Sequence, residues 1–153
     1  MYIYLITHGE CQEGPDPVHT PNGIEQLRAI LVPQDLVRII VGIGQRYTDI
    51  LRVVQSKTPA VVVRYSPFLG GPEVIREKDR VVLTDGRMID ASEYIGMYYN
   101  PINLWPLIQR FPALTLLCSG NILMKALGFG TIYKPGRLFK IYPETQDCEM
   151  VAQ

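Results

Sequence analysis

The chain has 153 residues, of which 47% are hydrophobic and 20% charged, and its 15 basic side chains balance its 15 acidic ones. This composition predicts one globular domain over residues 1–153 and argues against a disordered chain. The zero net charge argues against nucleic-acid binding and membrane attachment, which use clustered basic side chains. No apolar run is long enough to span a bilayer. Three distant cysteines and the lack of a signal peptide predict reduced thiols in a cytoplasmic protein.

The first half of the chain predicts strands that alternate with amphipathic helices. The apolar runs of strand length are residues 2–7, 37–41 and 60–65. A first helix of about three turns is predicted after Thr20, which suits the N-cap, with Pro21 at the first helical position. A second helix is predicted over residues 47–54, where apolar side chains recur at helical spacing.

The second half continues the alternation. Further strands are predicted at residues 81–83, 88–89, 113–118 and 138–142. The turn at Asp85 and Gly86 joins the first two of these as a hairpin. One helix is predicted over residues 102–109 and another from Asn121 to a cap at Gly128. The pattern predicts an α/β fold: a three-layer sandwich with a mainly parallel central sheet and helices on both faces.

Two polar loops follow predicted central strands. Residues 7–10 follow the first strand, and residues 119–121 follow the strand at 113–118, at a helix start. Ligands of such sheets bind beyond the carboxyl ends of the strands, and a helix start attracts anions. A neutral imidazole is a good nucleophile, so His8 in the first loop is a candidate for covalent phosphoryl transfer.

Four segments in order resemble the histidine phosphatase (phosphoglycerate mutase-like) superfamily. They are L-I-T-H-G-E at residues 5–10, T-P-N-G-I-E-Q at 20–26, Y-S-P-F at 65–68 and L-L-C-S-G-N at 116–121. The resemblance implies a phosphoglycerate mutase-like fold and phosphomonoester hydrolysis or phosphoryl transfer through a phosphohistidine at His8. It also implies Glu10 as an orienting acid. The residues it places against phosphate are Thr7, Gly9, Ser119, Gly120 and Asn121.

The departures from the superfamily pattern indicate a divergent, degenerate active site. Thr7 and Gly70 stand where the superfamily has phosphate-clamping arginines, and Ser119 stands where it has a second histidine. Neither threonine nor glycine can imitate the bidentate, permanently charged guanidinium. The general acid stays open among Asp85, Asp90 and Glu93.

Arg46 is the candidate for a substitute phosphate clamp. It follows the second predicted strand at a helix start, so it can reach the same edge of the sheet as His8. The alternative is an exposed helix residue with no part in the site.

Other chemistries find less support. Cys118 precedes a helix start, but the arginine that cysteine phosphatases need six residues later is Met124 here. His19, the second histidine, is predicted to be structural or exposed. Neither the histidines nor the cysteines have metal-ligand spacing, so we predict no metal and no cofactor.

Two functions therefore stay open. The first is a divergent phosphatase or mutase-like enzyme. The second is a catalytically inactive relative that binds a phosphorylated ligand or a protein partner. The predicted partners are a phosphorylated small molecule or a phosphoprotein, with no nucleic acid and no membrane, and the oligomeric state is open.

Overall fold

The computed structural model describes residues 1–14, 16–58, 61–66, 69, 74–77, 80–83, 87–90, 92–93 and 101–153. Its strands are β1 (Ile3–Thr7), β2 (Arg38–Val41), β3 (Val62–Tyr65), β4 (Val74–Glu77), β5 (Arg80–Leu83), β6 (Met88–Asp90), β7 (Thr115–Ser119), β8 (Leu138–Tyr142) and β9 (Asp147–Met150). Its helices are α1 (Pro21–Arg28), α2 (Gln45–Lys57), α3 (Pro101–Gln109) and α4 (Asn121–Ala126). Within these ranges, no helix has the length and apolar character needed to cross a membrane.

The larger sheet has the strand order β3-β2-β7-β1-β8-β9. Strands β1, β2, β3 and β7 run parallel, β8 is antiparallel to β1, and β9 is antiparallel to β8. The prediction of a mainly parallel central sheet in an α/β fold is confirmed. The parallel strands place the residues that follow β1, β2 and β7 at one edge of the sheet.

The side chains of the central strands alternate between two apolar cores, one on each face of the sheet. In β1, Ile3 and Leu5 enter one core, whereas Tyr4 and Ile6 enter the other. The first core includes Leu104, Trp105 and Ile108 of α3 and Leu123 and Met124 of α4. The second includes Leu27 of α1 and Ile50, Leu51 and Val54 of α2. Both faces are thus covered by helices, because strands buried on both sides need an apolar layer above and below.

A smaller antiparallel sheet has the order β4-β5-β6. The pairing of β5 with β6 confirms the predicted hairpin strands, while its turn at Asp85 and Gly86 lies outside the described residues. The sequence does not predict β4 or β9. Strand β4 begins two residues after the sequence Gly70-Gly71-Pro72, and β9 is a short, mostly exposed strand with no apolar run.

Helix α1 begins as predicted. The Oγ1 atom of Thr20 accepts a hydrogen bond from the backbone N of Gly23 at 3.0 Å, and Pro21 occupies the first helical position. This cap satisfies one of the backbone donors that a helix start leaves without an intrahelical partner.

The loop after β1 packs on the backbone of α1 at Gly23. A Cβ atom at Gly23 would lie 2.0 Å from the carbonyl oxygen of Glu10. A Cβ atom at Gly9 would lie 2.8 Å from the carbonyl oxygen of Gly23. Both neighbours are backbone atoms, which cannot rotate away as a side chain can. The two glycines therefore set how closely this loop approaches the helix.

We expect Gly23→Ala to destabilise the protein by about 1–3 kcal/mol, because the added methyl group overpacks the contact with Glu10. Helix propensity alone would give the opposite sign, a gain of about 1 kcal/mol. Urea unfolding of the variant and the wild type measures the difference. Glu25→Ala, at an exposed position of the same helix that pairs with the exposed Arg28, is the matched control. A Gly23→Ala variant as stable as the wild type would contradict the close packing.

Candidate active site

Strands β1 and β7 bring the two predicted polar loops together. The parallel register pairs Thr7 with Ser119, the last residue of each strand. The backbone N–H of His8 continues the pairing by donating to the carbonyl oxygen of Ser119 at 3.2 Å. His8 therefore lies beside the start of α4, as the arrangement of a parallel sheet requires.

The His8 ring is held on both sides. Its Nδ1 atom lies 3.0 Å from the carbonyl oxygen of Gly9, which can only accept a hydrogen bond. In the neutral ring, Nδ1 therefore carries the proton and Nε2 carries the basic lone pair. On the other side, a Cβ atom at Gly120 would lie 2.9 Å from Nε2 and 2.7 Å from Cδ2. Only glycine at position 120 leaves room for the ring in this place.

His19 belongs to the site, although its sequence position predicts only a structural or exposed residue. Its side chain is inaccessible to solvent. Its Nε2 atom accepts a hydrogen bond from the backbone N–H of Gly9 at 2.8 Å. Its Nδ1 atom lies 3.1 Å from Oδ2 of Asp49, which also accepts from the backbone N–H of His19 at 3.0 Å. The ring is therefore neutral and protonated on Nδ1.

The electrostatic surroundings of His19 favour this neutral form. Burial lowers its pKa below the usual 6.5, and the nearby Arg46 lowers it further, whereas the hydrogen bond to Asp49 acts in the opposite direction. The sign follows from the cost of placing a charged imidazolium away from water.

Cys11 lies on the Nδ1 side of His8. Its Sγ atom is 3.7 Å from that nitrogen, and burial raises the pKa of the thiol to about 11. Potential metal-ligand atoms of His8, Cys11 and His19 all lie within 4.8 Å of one another. The Gly9 peptide groups already occupy the imidazole nitrogens that face this cluster, so a metal would have to displace them. The absence of a metal stays a prediction.

Arg46 lies in the first turn of α2 and packs against Tyr47. Its Nη2 atom donates to the hydroxyl of Tyr47 at 2.8 Å, and its Cζ atom lies 4.5 Å from the centre of the Tyr47 ring. That ring is in turn packed edge-on to His8, with 6.2 Å between ring centres. The positive charge of the guanidinium also lowers the pKa values of Cys11 and His19. At Cys11 it opposes burial, which raises the pKa, whereas at His19 burial and Arg46 both lower it. Arg46 is therefore a nearby positive charge.

Two polar side-chain atoms of the predicted site residues have no hydrogen-bond partner among the described residues. They are Nε of Arg46 and Oδ1 of Asn121, and both atoms are buried. Asn121 is the first residue of α4, directly after Gly120. Buried polar atoms without a partner are costly, so a polar ligand that reached either atom would restore a hydrogen bond.

Ser119 and Thr7, predicted to contact phosphate, use their hydroxyl groups within the protein. Ser119 donates to the carbonyl oxygen of Leu69 at 2.7 Å. Thr7 donates to the carbonyl oxygen of Lys134 at 2.7 Å and accepts from the backbone N of Arg137 at 3.0 Å. Neither hydroxyl has a second hydrogen to donate to phosphate, so their predicted phosphate contacts gain no support from this arrangement.

Glu10 is attached to the start of α1 rather than to His8. Its carboxylate accepts from the hydroxyl of Thr20 at 2.9 Å and from the amide of Asn22 at 3.3 Å. Its backbone N donates to Oε1 of Gln26 at 2.8 Å. Through these bonds Glu10 orients the loop that carries His8.

The general acid is not identified by the described residues. Asp90 and Glu93 are exposed, while Asp85 and Gly70 lie outside the described part of the chain.

Comparison of the sequence with protein-family models gives no match, and comparison with curated proteins gives none either. Comparison of the structure with solved structures is informative. One similar structure is a phosphoserine phosphatase from Entamoeba histolytica in complex with 3-phosphoglyceric acid. The match covers 99% of this chain and 95% of the phosphatase, with 15% identity and a TM-score of 0.61. The chain has the histidine phosphatase fold.

Two further solved structures are similar to this histidine phosphatase fold over almost their whole length. The protein histidine phosphatase SixA, complexed with tungstate, has 12% identity and a TM-score of 0.60, with 99% of this chain and 95% of SixA covered. A mycobacterial glucosyl-3-phosphoglycerate phosphatase has 12% identity and a TM-score of 0.56, with 97% and 96% covered. The fold predicted from the four sequence segments is therefore confirmed.

The buried neutral His19 generates a test based on pH. Because the unfolded state has the higher pKa, it binds more protons than the folded state at mildly acidic pH. Stability is therefore fully present above the unfolded pKa of 6.5 and falls as the pH decreases towards the folded pKa. The slope can reach about 1.4 kcal/mol per pH unit.

We expect urea unfolding between pH 8 and 5 to show this loss in the wild type and a smaller loss in His19→Gln. His8 is present in both proteins, so their difference reports His19. Equal pH dependence in the two proteins would show that His19 is not held neutral by the fold.

Proposed function

We propose that this protein is a divergent phosphatase that transfers the phosphoryl group of a phosphomonoester to Nε2 of His8. The observation that carries the proposal is the position of the imidazole. The carbonyl oxygen of Gly9 holds the proton on Nδ1, and the Nε2 edge of the ring lies against Gly120 at the start of α4. The nucleophilic nitrogen is therefore fixed at the edge of the sheet where ligands of this type of fold bind.

The chemistry proceeds in two steps. The lone pair of Nε2 attacks phosphorus, an N–P bond forms, and the P–O bond to the leaving alcohol breaks. The leaving oxygen takes a proton from solvent, because no described side chain is identified as the acid. Water then attacks the phosphorus of phosphohistidine, the N–P bond breaks, and inorganic phosphate and a proton are released. Forming a covalent intermediate divides one difficult displacement into two easier ones.

Arg46 supplies the positive charge in this proposal. Its Nε atom is buried without a partner among the described residues, and so is Oδ1 of Asn121. A phosphoryl oxygen would accept from the Arg46 guanidinium, and a protonated phosphoryl oxygen would donate to Oδ1 of Asn121. Phosphoryl transfer depends mainly on such positioning and charge stabilisation. The site would have fewer cations than the superfamily pattern, so we expect slow turnover.

The proposed substrates are phosphomonoesters with good leaving groups. Without an identified acid to protonate the departing oxygen, aryl phosphates should react faster than alkyl phosphates. The natural partner would be a phosphorylated small molecule or a phosphoprotein. The three cysteines are free thiols, which is consistent with a reducing compartment, and we propose the cytoplasm as the location.

A second candidate function is a phosphate-binding protein without turnover. It is favoured by Ser119, which stands where the resemblance expects a second histidine and whose hydroxyl is committed to Leu69. In this version the same pocket holds a phosphorylated ligand or protein, but no phosphohistidine forms. A catalytic assay and a binding assay on the same protein separate the two functions.

We expect the wild type to hydrolyse p-nitrophenyl phosphate slowly and His8→Ala to lose activity by at least about 100-fold, because the nucleophile is removed. Release of p-nitrophenol measures turnover, and thermal shift with inorganic phosphate or tungstate measures binding. Wild-type turnover that His8→Ala retains would contradict the proposed nucleophile. Binding without turnover would support the second function.

We expect Arg46→Gln to lower kcat/KM by about 100-fold, because the transition-state charge loses its nearby cation. Arg46→Lys keeps the positive charge but not the bidentate geometry, so its kcat/KM should lie between those of the wild type and Arg46→Gln. Arg28→Gln, which removes an exposed arginine of α1 that pairs with Glu25, is the matched control. An Arg46→Gln variant as active as Arg28→Gln would show that Arg46 is not the clamp.

A further inference from the structure

A chain of hydrogen bonds runs from α2 to the ring of His8. Oδ2 of Asp49 lies 3.1 Å from Nδ1 of His19, and Nε2 of His19 accepts from the N–H of Gly9 at 2.8 Å. The carbonyl oxygen of Gly9 lies 3.0 Å from Nδ1 of His8. Asp49 and His19 therefore act on the His8 ring through a single residue of backbone.

We propose that His19, oriented by Asp49, is a positioning residue that fixes the Gly9 backbone and thereby the tautomer and direction of the His8 ring. The catalytic meaning of this role rests on the proposed function. The hydrogen-bond chain itself does not require turnover, so it can be tested independently.

The chemistry of its two neighbours explains why an imidazole suits the position of His19. The Gly9 N–H needs an acceptor, and the Asp49 carboxylate needs a donor. A neutral imidazole offers one of each on opposite sides of a rigid ring. The carboxylate keeps the proton of His19 on Nδ1, so Nε2 always faces Gly9 as an acceptor.

Protonation of His19 would break the chain. Its Nε2 would then carry a hydrogen that points at the N–H of Gly9, and the two donors would repel each other. The charged groups that face His19 are Asp49 and Arg46 of α2. The other titratable groups are the His8 ring, 6.2 Å away between ring centres, and the Cys11 thiol beside it. Burial and Arg46 together favour the neutral ring, so the chain is intact in neutral solution.

Close packing transmits the position of Gly9 to His8. Gly9 is buried, and a Cβ atom there would lie 2.7 Å from Oε1 of Gln26 and 2.8 Å from the carbonyl oxygen of Gly23. The residue cannot shift towards α1. The Gly9 N–H belongs to the His8–Gly9 peptide and the Gly9 carbonyl belongs to the next peptide, and the two planes meet at the Gly9 Cα atom. Removing the acceptor at His19 would leave the first plane held by the bond from the backbone N–H of Gly136 to the carbonyl oxygen of His8 at 2.9 Å. The loosened first plane would let the second plane shift at Gly9, and with it the carbonyl oxygen that holds Nδ1 of His8.

The test is the tautomeric state of the two histidines, which are the only two in the chain. In protein labelled with 15N-histidine, long-range 1H–15N NMR spectra distinguish a protonated from an unprotonated ring nitrogen. His8→Ala assigns the two rings, since the signals that remain belong to His19. In the wild type at pH 7.5 we expect both rings to be neutral and protonated on Nδ1. A His8 or His19 ring protonated on Nε2 in the wild type would overturn the proposal without any further variant.

Two amide variants test the direction of influence. His19→Gln can reach the position of Nε2 and accept from Gly9, whereas His19→Asn reaches only the position of Nδ1 and keeps the contact with Asp49. We expect His19→Gln to retain the Nδ1-protonated ring of His8 and His19→Asn to give a mixture of tautomers. Thr115→Ala, which removes a buried hydroxyl elsewhere, controls for a general loss of stability. An unchanged His8 ring in a folded His19→Asn variant would overturn the positioning role.

Kinetics separates this proposal from the proposed function. If the enzyme is active, His19→Asn should lower kcat by about 10–100-fold with a smaller change in KM, because a misplaced nucleophile affects the reaction more than binding. If the enzyme turns over but the His8 tautomer is the same in the wild type and in His19→Asn, the positioning role of His19 is overturned and the phosphatase activity stands. An intact tautomer chain without turnover would overturn the phosphatase but keep the positioning role.

Discussion

The parallel pairing of β1 with β7 brings together residues that are more than 110 positions apart in the sequence. Thr7 and Ser119 end the two strands side by side, so the next residues, His8 and Gly120, meet at the edge of the sheet. Every later step in the construction of the site depends on this register. A slip by one residue would turn the alternating side chains of β1 to the opposite cores and would turn His8 away from the start of α4.

The site that results is unusual in its charge. By the resemblance seen in the sequence, Thr7 and Gly70 stand where the superfamily has arginine. The hydroxyl of Thr7 instead bonds to the backbone of Lys134 and Arg137. Arg46 approaches from a different element, α2, and is held against Tyr47. One cation from a new direction cannot reproduce two guanidinium clamps. In the proposed function, this shortage of positive charge predicts slow catalysis even with the His8 ring in place.

Much of the fold was predictable because its signals are local. The apolar runs of β1, β2 and β7, and the capping of α1 by Thr20, follow from residue types and spacing over a few positions. The strand β9 was not predictable, because its residues are mostly exposed and it is stabilised by its pairing with β8.

The site was predictable only in part. The sequence predicts His8, Arg46 and residues 119–121 at one edge of the sheet. The structure places His8 beside Gly120 and Arg46 against Tyr47, while the catalytic and phosphate-binding roles of these residues stay predictions. The hydrogen bonds of His19 could not be predicted from the sequence, because its partner Asp49 is 30 residues away and its other partner is the backbone N–H of Gly9. The hydrogen-bond acceptors of the Thr7 and Ser119 hydroxyls could not be predicted either, since tertiary packing decides which acceptor each hydroxyl contacts.

The central claim is that Nε2 of His8 accepts a phosphoryl group. The most direct measurement is to mix the protein with an aryl phosphate, quench the reaction within its first turnover in alkali, where phosphohistidine survives, and locate the added phosphate by mass spectrometry of the peptides. We expect phosphate on the peptide that contains His8, stable in alkali, lost in acid, and absent from His8→Ala. Turnover with the phosphate on another residue would contradict phosphoryl transfer to His8. So would turnover without any phosphoenzyme, under conditions in which the phosphoenzyme forms faster than it breaks down.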